Sequence, residues 1–251
     1  MINTYNESSL HATLKKIYAL ESDGTMEVKL DDTEWICDIL DADGNAIEIQ
    51  TANLSALTEK SEYLLENGRK IKIVHPIASI KWIETYDSSG NLISRKKSPK
   101  KASIFDSLRG MTQICPLFLN ENCSLEVLSC EISEMRRKTA QACLTQNMSR
   151  RRLKNWLPMG KRLEKINEKK IFNTASDWLS LLPPRMAEYK NKEGTQAFRI
   201  TDLTKEMKDI YGAKTARWAN LLVWIFLKMG ILEECEKKGR SRFFRTKAPA
   251  S

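Results

Sequence analysis

Histidine is scarce in this chain, with two in 251 residues, and the six cysteines, at positions 37, 115, 123, 130, 143 and 235, form no Cys-x-x-Cys pair. Zinc sites draw on closely spaced cysteines and histidines, so the pattern argues against one and for reduced, mostly packing thiols. No apolar run approaches the ~18 residues of a membrane span. The opening MINTYNESSLHATLKK has no apolar stretch followed by a cleavage site. These absences predict a cytoplasmic protein with no membrane partner.

What is present is ordinary core material and an uneven charge. Hydrophobic residues make up 41% of the chain, enough for one large domain or two small ones. Residues 1–135 carry 14 Lys and Arg against 21 Asp and Glu, whereas residues 136–251 carry 27 against 11. The basic half therefore reads as the part that meets a polyanion, DNA or RNA. A solvated basic face with no partner is the plainer alternative.

The most informative stretch runs from Trp35 to Lys60. Glu34–Leu40 alternates Trp35, Cys37 and Ile39 against Glu34 and Asp38, the period of two of a strand. Asp-Gly within Asp41–Asn45 predicts a hairpin into a second strand, Ala46–Thr51. A helix over Asn53–Glu66 follows. Folding about Asp43 places Asp38 opposite Glu48, with Cβ atoms roughly 4.5–5.5 Å apart. Carboxylates that close repel unless they share a proton or a cation. Gln50 points to the same face as Glu48.

An aspartate, then Glu-x-Gln on the next strand, then a helix resembles the PD-(D/E)XK nuclease core. The surrounding order of helix, three strands, helix and strand is similar as well. The resemblance implies an α/β fold with a mixed, restriction-endonuclease-like sheet. It implies that Asp38 and Glu48 hold Mg²⁺ or Mn²⁺, with Glu7 on the first helix as candidate third acid and Glu21 as the alternative. Gln50 stands where the family has lysine and brings no positive charge. Lys60, on the helix edge that turns toward the sheet, is the candidate replacement. Asp38, Glu48, Gln50 and Lys60 are thus the candidate catalytic set. Cutting both strands would further call for a homodimer or a partner protein.

Around this core the spacing predicts a helix over Glu7–Leu20, a strand over Thr25–Leu30, a central strand over Lys70–Ile77 and a hairpin of Ile80–Tyr86 with Asn91–Ser94. His75, just before Pro76 at the end of the central strand, reads as a packed or solvated residue rather than a ligand. Arg95, Lys96, Lys97, Lys100 and Lys101 form a basic cluster that Pro99 keeps in a loop. Ile104–Leu119 reads as a helix broken at Pro116, and Ser124–Cys130 as a last strand. The expected domains are 1–130 for the nuclease-like core, 131–171 for a basic and partly helical linker bearing Arg150, Arg151 and Arg152, and 172–251 for the remainder.

That remainder resembles a winged helix-turn-helix domain. Its helices are expected over Asp177–Leu182, Asp202–Tyr211 with Thr201 as N-cap, and Ala213–Met229, closed by Gly230. A two-stranded wing follows. Ala216, Ala219, Leu222, Val223 and Phe226 form the buried face of the third helix, and Lys214, Arg217 and Asn220 lie at its DNA-reading end. Lys237, Lys238, Arg240 and Arg242 make the wing cationic. Trp156, Trp178, Trp218 and Trp224 are expected to pack. Together the readings predict a metal-dependent nuclease targeted to DNA by a C-terminal domain. The alternatives are a catalytically silent DNA-binding or scaffold protein on the same fold, and a protein-docking module.

Overall fold

The computed structural model describes residues 9–30, 33–143, 153–186, 189 and 196–247. The first helix, α1 (Ser9–Glu21), places Leu10, Leu14 and Tyr18 one turn apart on one face, and all three are buried. That face packs on Ile39, Ile47, Ile49, Val74, Leu128, Cys130 and Ile132. Burying each leucine contributes roughly 1.5–3 kcal/mol, which holds α1 against the sheet.

The sheet begins as an antiparallel meander of β1 (Thr25–Lys29), β2 (Ile36–Leu40) and β3 (Ala46–Ile49). The β2–β3 pairs are Ile39 with Ile47 and Leu40 with Ala46, the register expected from a turn about Asp43. Asp41 builds that turn by accepting the N–H groups of Asp43 and Asn45. Gly44 supplies the positive φ of +80° that side-chain-bearing residues resist. After β3, one 3₁₀ turn (Leu54–Leu57) leads into α2 (Thr58–Glu66), so the helix expected from Asn53 is split. The chain then returns as β4 (Ile71–Tyr86), parallel to β3.

β4 is one strand where two were expected. Gln50 N–H donates to the Val74 carbonyl on the β3 side, and alternation puts the Pro76 nitrogen on that same side. β3 pairing ends at Val74 and β5 (Leu92–Lys97) begins at Trp82, so the missing proline N–H removes no ladder bond. The strand continues with a register shift between Ala78 and Ile80. Arg95, Lys96 and Lys97 lie on β5, which corrects their placement in a loop; only Lys100 and Lys101 follow the strand. The helix expected over Ile104–Leu119 is instead α3 (Ile104–Ser107) and two 3₁₀ turns, Leu108–Met111 and Cys115–Leu119, the latter with Pro116 at its start.

The largest correction concerns residues 131–171. Apart from residues 144–152, outside the description, they form most of a long antiparallel ribbon of β6 (Cys123–Cys143) and β7 (Lys154–Phe172), with β6 parallel to β4. The boundary expected at residue 130 falls inside β6. Both faces of the far ribbon are largely solvated, so its sequence lacks the one-sided apolar period by which strands are read.

Beyond β7 come α4 (Ala175–Leu179), α5 (Ile200–Tyr211), α6 (Ala213–Ala216), α7 (Ala219–Met229) and a hairpin of β8 (Leu232–Lys238) with β9 (Ser241–Thr246). The helix expected from Asp177 starts earlier, at Ala175, and Thr174 caps it through a reciprocal bond with Asp177. Arg199 takes the capping position of α5 in place of Thr201, because Asp202 accepts its N–H. The expected third helix breaks at Arg217–Trp218, and Gly230 closes it at φ +76°. Its face of Ala216, Ala219, Leu222, Val223 and Phe226 is buried as expected, as is Trp178, whereas Trp224 is exposed. One continuous core joins Leu54, Leu64 and Ile73 to Phe118, Phe172, Trp178, Leu222 and Phe226. The C-terminal unit thus packs on the sheet.

Candidate functional site

β2 and β3 diverge past Ile39 and Ile47, and acidic side chains take over the cross-strand bonding there. Ile49 N–H donates to Asp38 Oδ2 at 2.9 Å, and Asp38 N–H donates to Glu48 Oε1 at 3.3 Å. Glu27, on β1 between the Met26–Ile39 and Val28–Cys37 pairs, extends this into a row of three acids across three strands. Its φ of +58° is strained for a residue with a Cβ.

Basic side chains from two helices interleave with the row. From α1, His11 Nε2 lies 3.2 Å from Asp38 Oδ2, and buried Lys15 pairs with Glu27 while standing 3.9 Å from Asp38 Oδ1. From α2, Lys60 Nζ lies 2.5 Å from Glu48 Oε1 and donates to the Ile36 carbonyl at 2.7 Å. Glu48 and Lys60 are only 4% and 8% exposed. Burial of Asp38 disfavours its charge, but the His11 bond, the Ile49 N–H and the charges of His11 and Lys15 outweigh this and lower its pKa. For Glu48, burial outweighs Lys60 and raises the pKa.

Asp38, Glu48 and Lys60 are therefore brought together as expected. Gln50 contributes its backbone, whose carbonyl lies 2.5 Å from His75 Nδ1. A carbonyl only accepts, so Nδ1 carries the proton and Nε2, 2.8 Å away, accepts from the Ser107 hydroxyl. Burial lowers the pKa of His75. Glu7 lies outside the described residues, and Glu21 pairs with Lys169 on the surface. His11, Lys15 and Glu27 were missed. The i, i+4 spacing of His11 and Lys15, beside Leu14, was the available signal, but cations on an amphipathic helix read as its solvated face.

Two oxygen-donor carboxylates suit a hard divalent ion in chemistry. Their arrangement does not: both are already paired with internal cations, and Glu48 is buried. Among the described residues no group of three or more His, Cys, Asp and Glu side chains is placed to hold an ion.

The open concavities lie elsewhere. Where β4 is unpaired between β3 and β5, a cavity of about 550 Å³ is lined by residues including Thr51, His75, Lys81, Ser107, Arg109 and Lys161. It shares Ala78, Lys81, Ala102, Ser103 and Asp106 with a cleft of about 710 Å³ that extends to α6. There Lys100, Lys101, Lys214 and Arg217 line the wall with one acid, Asp106, while Lys81, at the junction with the adjoining cavity, is paired with Glu134 at 2.8 Å. Two of the expected basic clusters, far apart in sequence, thus meet in one cleft. The others are dispersed. Arg95 stacks on Trp82 and pairs with Glu84, while Lys96 is exposed and Lys97 lies over the same Trp82 ring. Asn220 is exposed. At the β8–β9 turn Lys237 and Arg240 are exposed, Lys238 pairs with Glu236 and Arg242 with Glu234. Arg150, Arg151 and Arg152 lie outside the described residues.

Fold and site together define a mixed α/β protein with an internally neutralised row of acids across the three strands at one end of its sheet. Within that class the chain belongs to the family described as Domain of unknown function (DUF8091), whose model matches residues 8–173, the span from α1 through β7. A protein of Treponema pallidum (strain Nichols), described as uncharacterised, is 31% identical over 127 residues. The match covers 51% of this chain and 49% of that protein, so the chain spans about half the length of this curated relative. No solved structure matches. No helix among the described residues is long and apolar enough to cross a membrane.

Proposed function

We propose that the chain is a nucleic-acid-binding protein on a PD-(D/E)XK-like core with a winged-helix-like C-terminal unit, and that its acids hold β1, β2 and β3 together without a catalytic ion. The observation that carries this reading is the cleft in which Lys100, Lys101, Lys214 and Arg217 converge. Phosphates bound there release condensed counterions, so affinity falls steeply with salt. The order of α1, three strands, α2 and β4, with Asp38, Glu48 and Lys60 on β2, β3 and α2, supports the choice of core.

A second reading, a Mg²⁺- or Mn²⁺-dependent deoxyribonuclease, is favoured by the convergence of Asp38, Glu48 and Lys60 from three elements onto one point. One experiment separates the two. Supercoiled, linear and branched DNA are incubated with the protein and either metal, beside Asp38→Ala and Glu48→Ala, while binding is followed by anisotropy at rising salt. The first reading expects salt-sensitive binding, no cutting and no thermal shift on adding metal. Metal-dependent cutting lost in both variants would establish the second. Absence of DNA binding, with salt-insensitive capture of a protein, would sink both.

A further inference from the structure

We infer that the cleft between the β5–α3 loop and α6 binds single-stranded nucleic acid, with Tyr211 as the platform on which a base stacks. The inference rests on the nucleic-acid reading above and specifies the form of its ligand.

Size and orientation decide against a duplex. A cleft of about 710 Å³ falls within the roughly 300–1,000 Å³ of pockets that enclose small ligands. Duplex readers instead push a helix into a groove ~12 Å wide. Here two of the three residues expected at the reading end, Lys214 and Arg217, line the cleft instead. Arg217, at the end of α6, reaches back to Asp106 in the first turn of α3 at 3.1 Å. Lys214 lines the same cleft with Lys100 and Lys101 across from it.

Single-strand sites combine a cationic track with exposed aromatic rings, because every base has a face to stack whatever its identity. Both components are present. Tyr211, the last residue of α5, lines the cleft and is 38% exposed although large and aromatic. One side of it rests on Phe105, ring centroids 5.3 Å apart, so the ring is braced from behind. Past Lys81, which is paired with Glu134, the wall turns cationic again at Arg109 and Lys161 in the adjoining cavity. A strand entering beside Tyr211 is thereby led toward the gap between β3 and β5, where Thr51 and His75 form the wall.

The test compares a fluorescein-labelled oligothymidylate with a duplex of equal length by anisotropy, at one fixed salt concentration. Wild type should bind the single strand more tightly. Tyr211→Ala should weaken that binding about 5- to 150-fold, the range of one lost base stack. Tyr211→Phe, which keeps ring and packing, should bind like wild type and shows that the alanine effect is not misfolding. The exposed pair Lys100→Glu and Lys101→Glu should weaken binding and flatten its salt dependence. Equal or tighter duplex binding, or an unchanged Tyr211→Ala, overturns the inference while leaving nucleic-acid binding intact. Equal competition by polyglutamate overturns it in favour of acidic proteins. No binding of either oligonucleotide removes the underlying reading as well.

Discussion

Lys60 Nζ sits 2.5 Å from Glu48 Oε1 and also donates to the Ile36 carbonyl, so one ammonium ties α2 to both β2 and β3. Both partners are nearly inaccessible. Removing one member of a buried pair leaves an uncompensated charge, at a cost of about 3–5 kcal/mol, whereas removing both at matched shape is far less damaging. Lys60→Met should therefore lower the urea midpoint sharply. Combining it with Glu48→Gln should restore part of the loss. A double variant as unstable as the sum of the singles would show that the two side chains do not act as a pair.

Asp38 makes the hairpin pH-dependent in a defined direction. Its folded pKa lies below the ordinary 3.8, so its contribution is present above that value and is lost as pH falls through the folded pKa. Asp38→Asn removes the titration, though it also weakens the bonds to His11 and Ile49. The expected result is a variant less stable than wild type near neutrality, with the gap closing below about pH 4. Chemical unfolding across that range measures it. A gap that stays constant with pH would contradict an ionised Asp38.

The hairpin was legible because Asp-Gly lies between two alternating runs, and the face of α2 that carries Lys60 followed from its leucines. The acid pair itself was visible, but its neutralisation was not. His11 and Lys15 are polar, basic residues on an amphipathic helix, and only the tertiary position of α1 turns them toward Asp38. The ribbon of β6 and β7 was missed for a related reason. Its far residues, such as Arg137 and Lys138, are exposed and held by backbone pairing, so no apolar period marks them as strands. The strand run through Pro76 was hidden by a general rule about proline, which fails where one strand edge is unpaired.

His75 gives a second pH signature of opposite chemistry. Burial lowers its folded pKa below the ordinary 6.5, so between those values the unfolded chain binds a proton that the folded chain refuses. Stability is then full above about pH 6.5 and declines as pH falls below it. His75→Gln, which can still donate and accept, should reduce that decline between pH 7 and 5.5, about the range where histidine titrates. Thermal midpoints of the two proteins across this range provide the check. Parallel curves would mean that His75 is not held neutral.

Trp178 shows how the C-terminal unit is attached. It is fully buried, with its ring 5.2 Å from Phe118, which follows the α3 segment, and 4.8 Å from Phe172 at the end of β7. Those rings belong to the same core as Ile73 of the sheet and Phe226 of α7. A residue in such a position couples the stability of everything that packs on it. Trp178→Ala should cost about 3–5 kcal/mol, the range for deleting a large buried aromatic. Because the core is continuous, that loss should lower the midpoint of a single transition, seen alike by far-ultraviolet circular dichroism and tryptophan fluorescence. Two separate transitions in wild type, with Trp178→Ala shifting only one, would mean that residues 174–247 fold as an independent domain resting on the sheet. The cleft between the β5–α3 loop and α6 would then join two bodies, and its cations would be held in place by the contact between them.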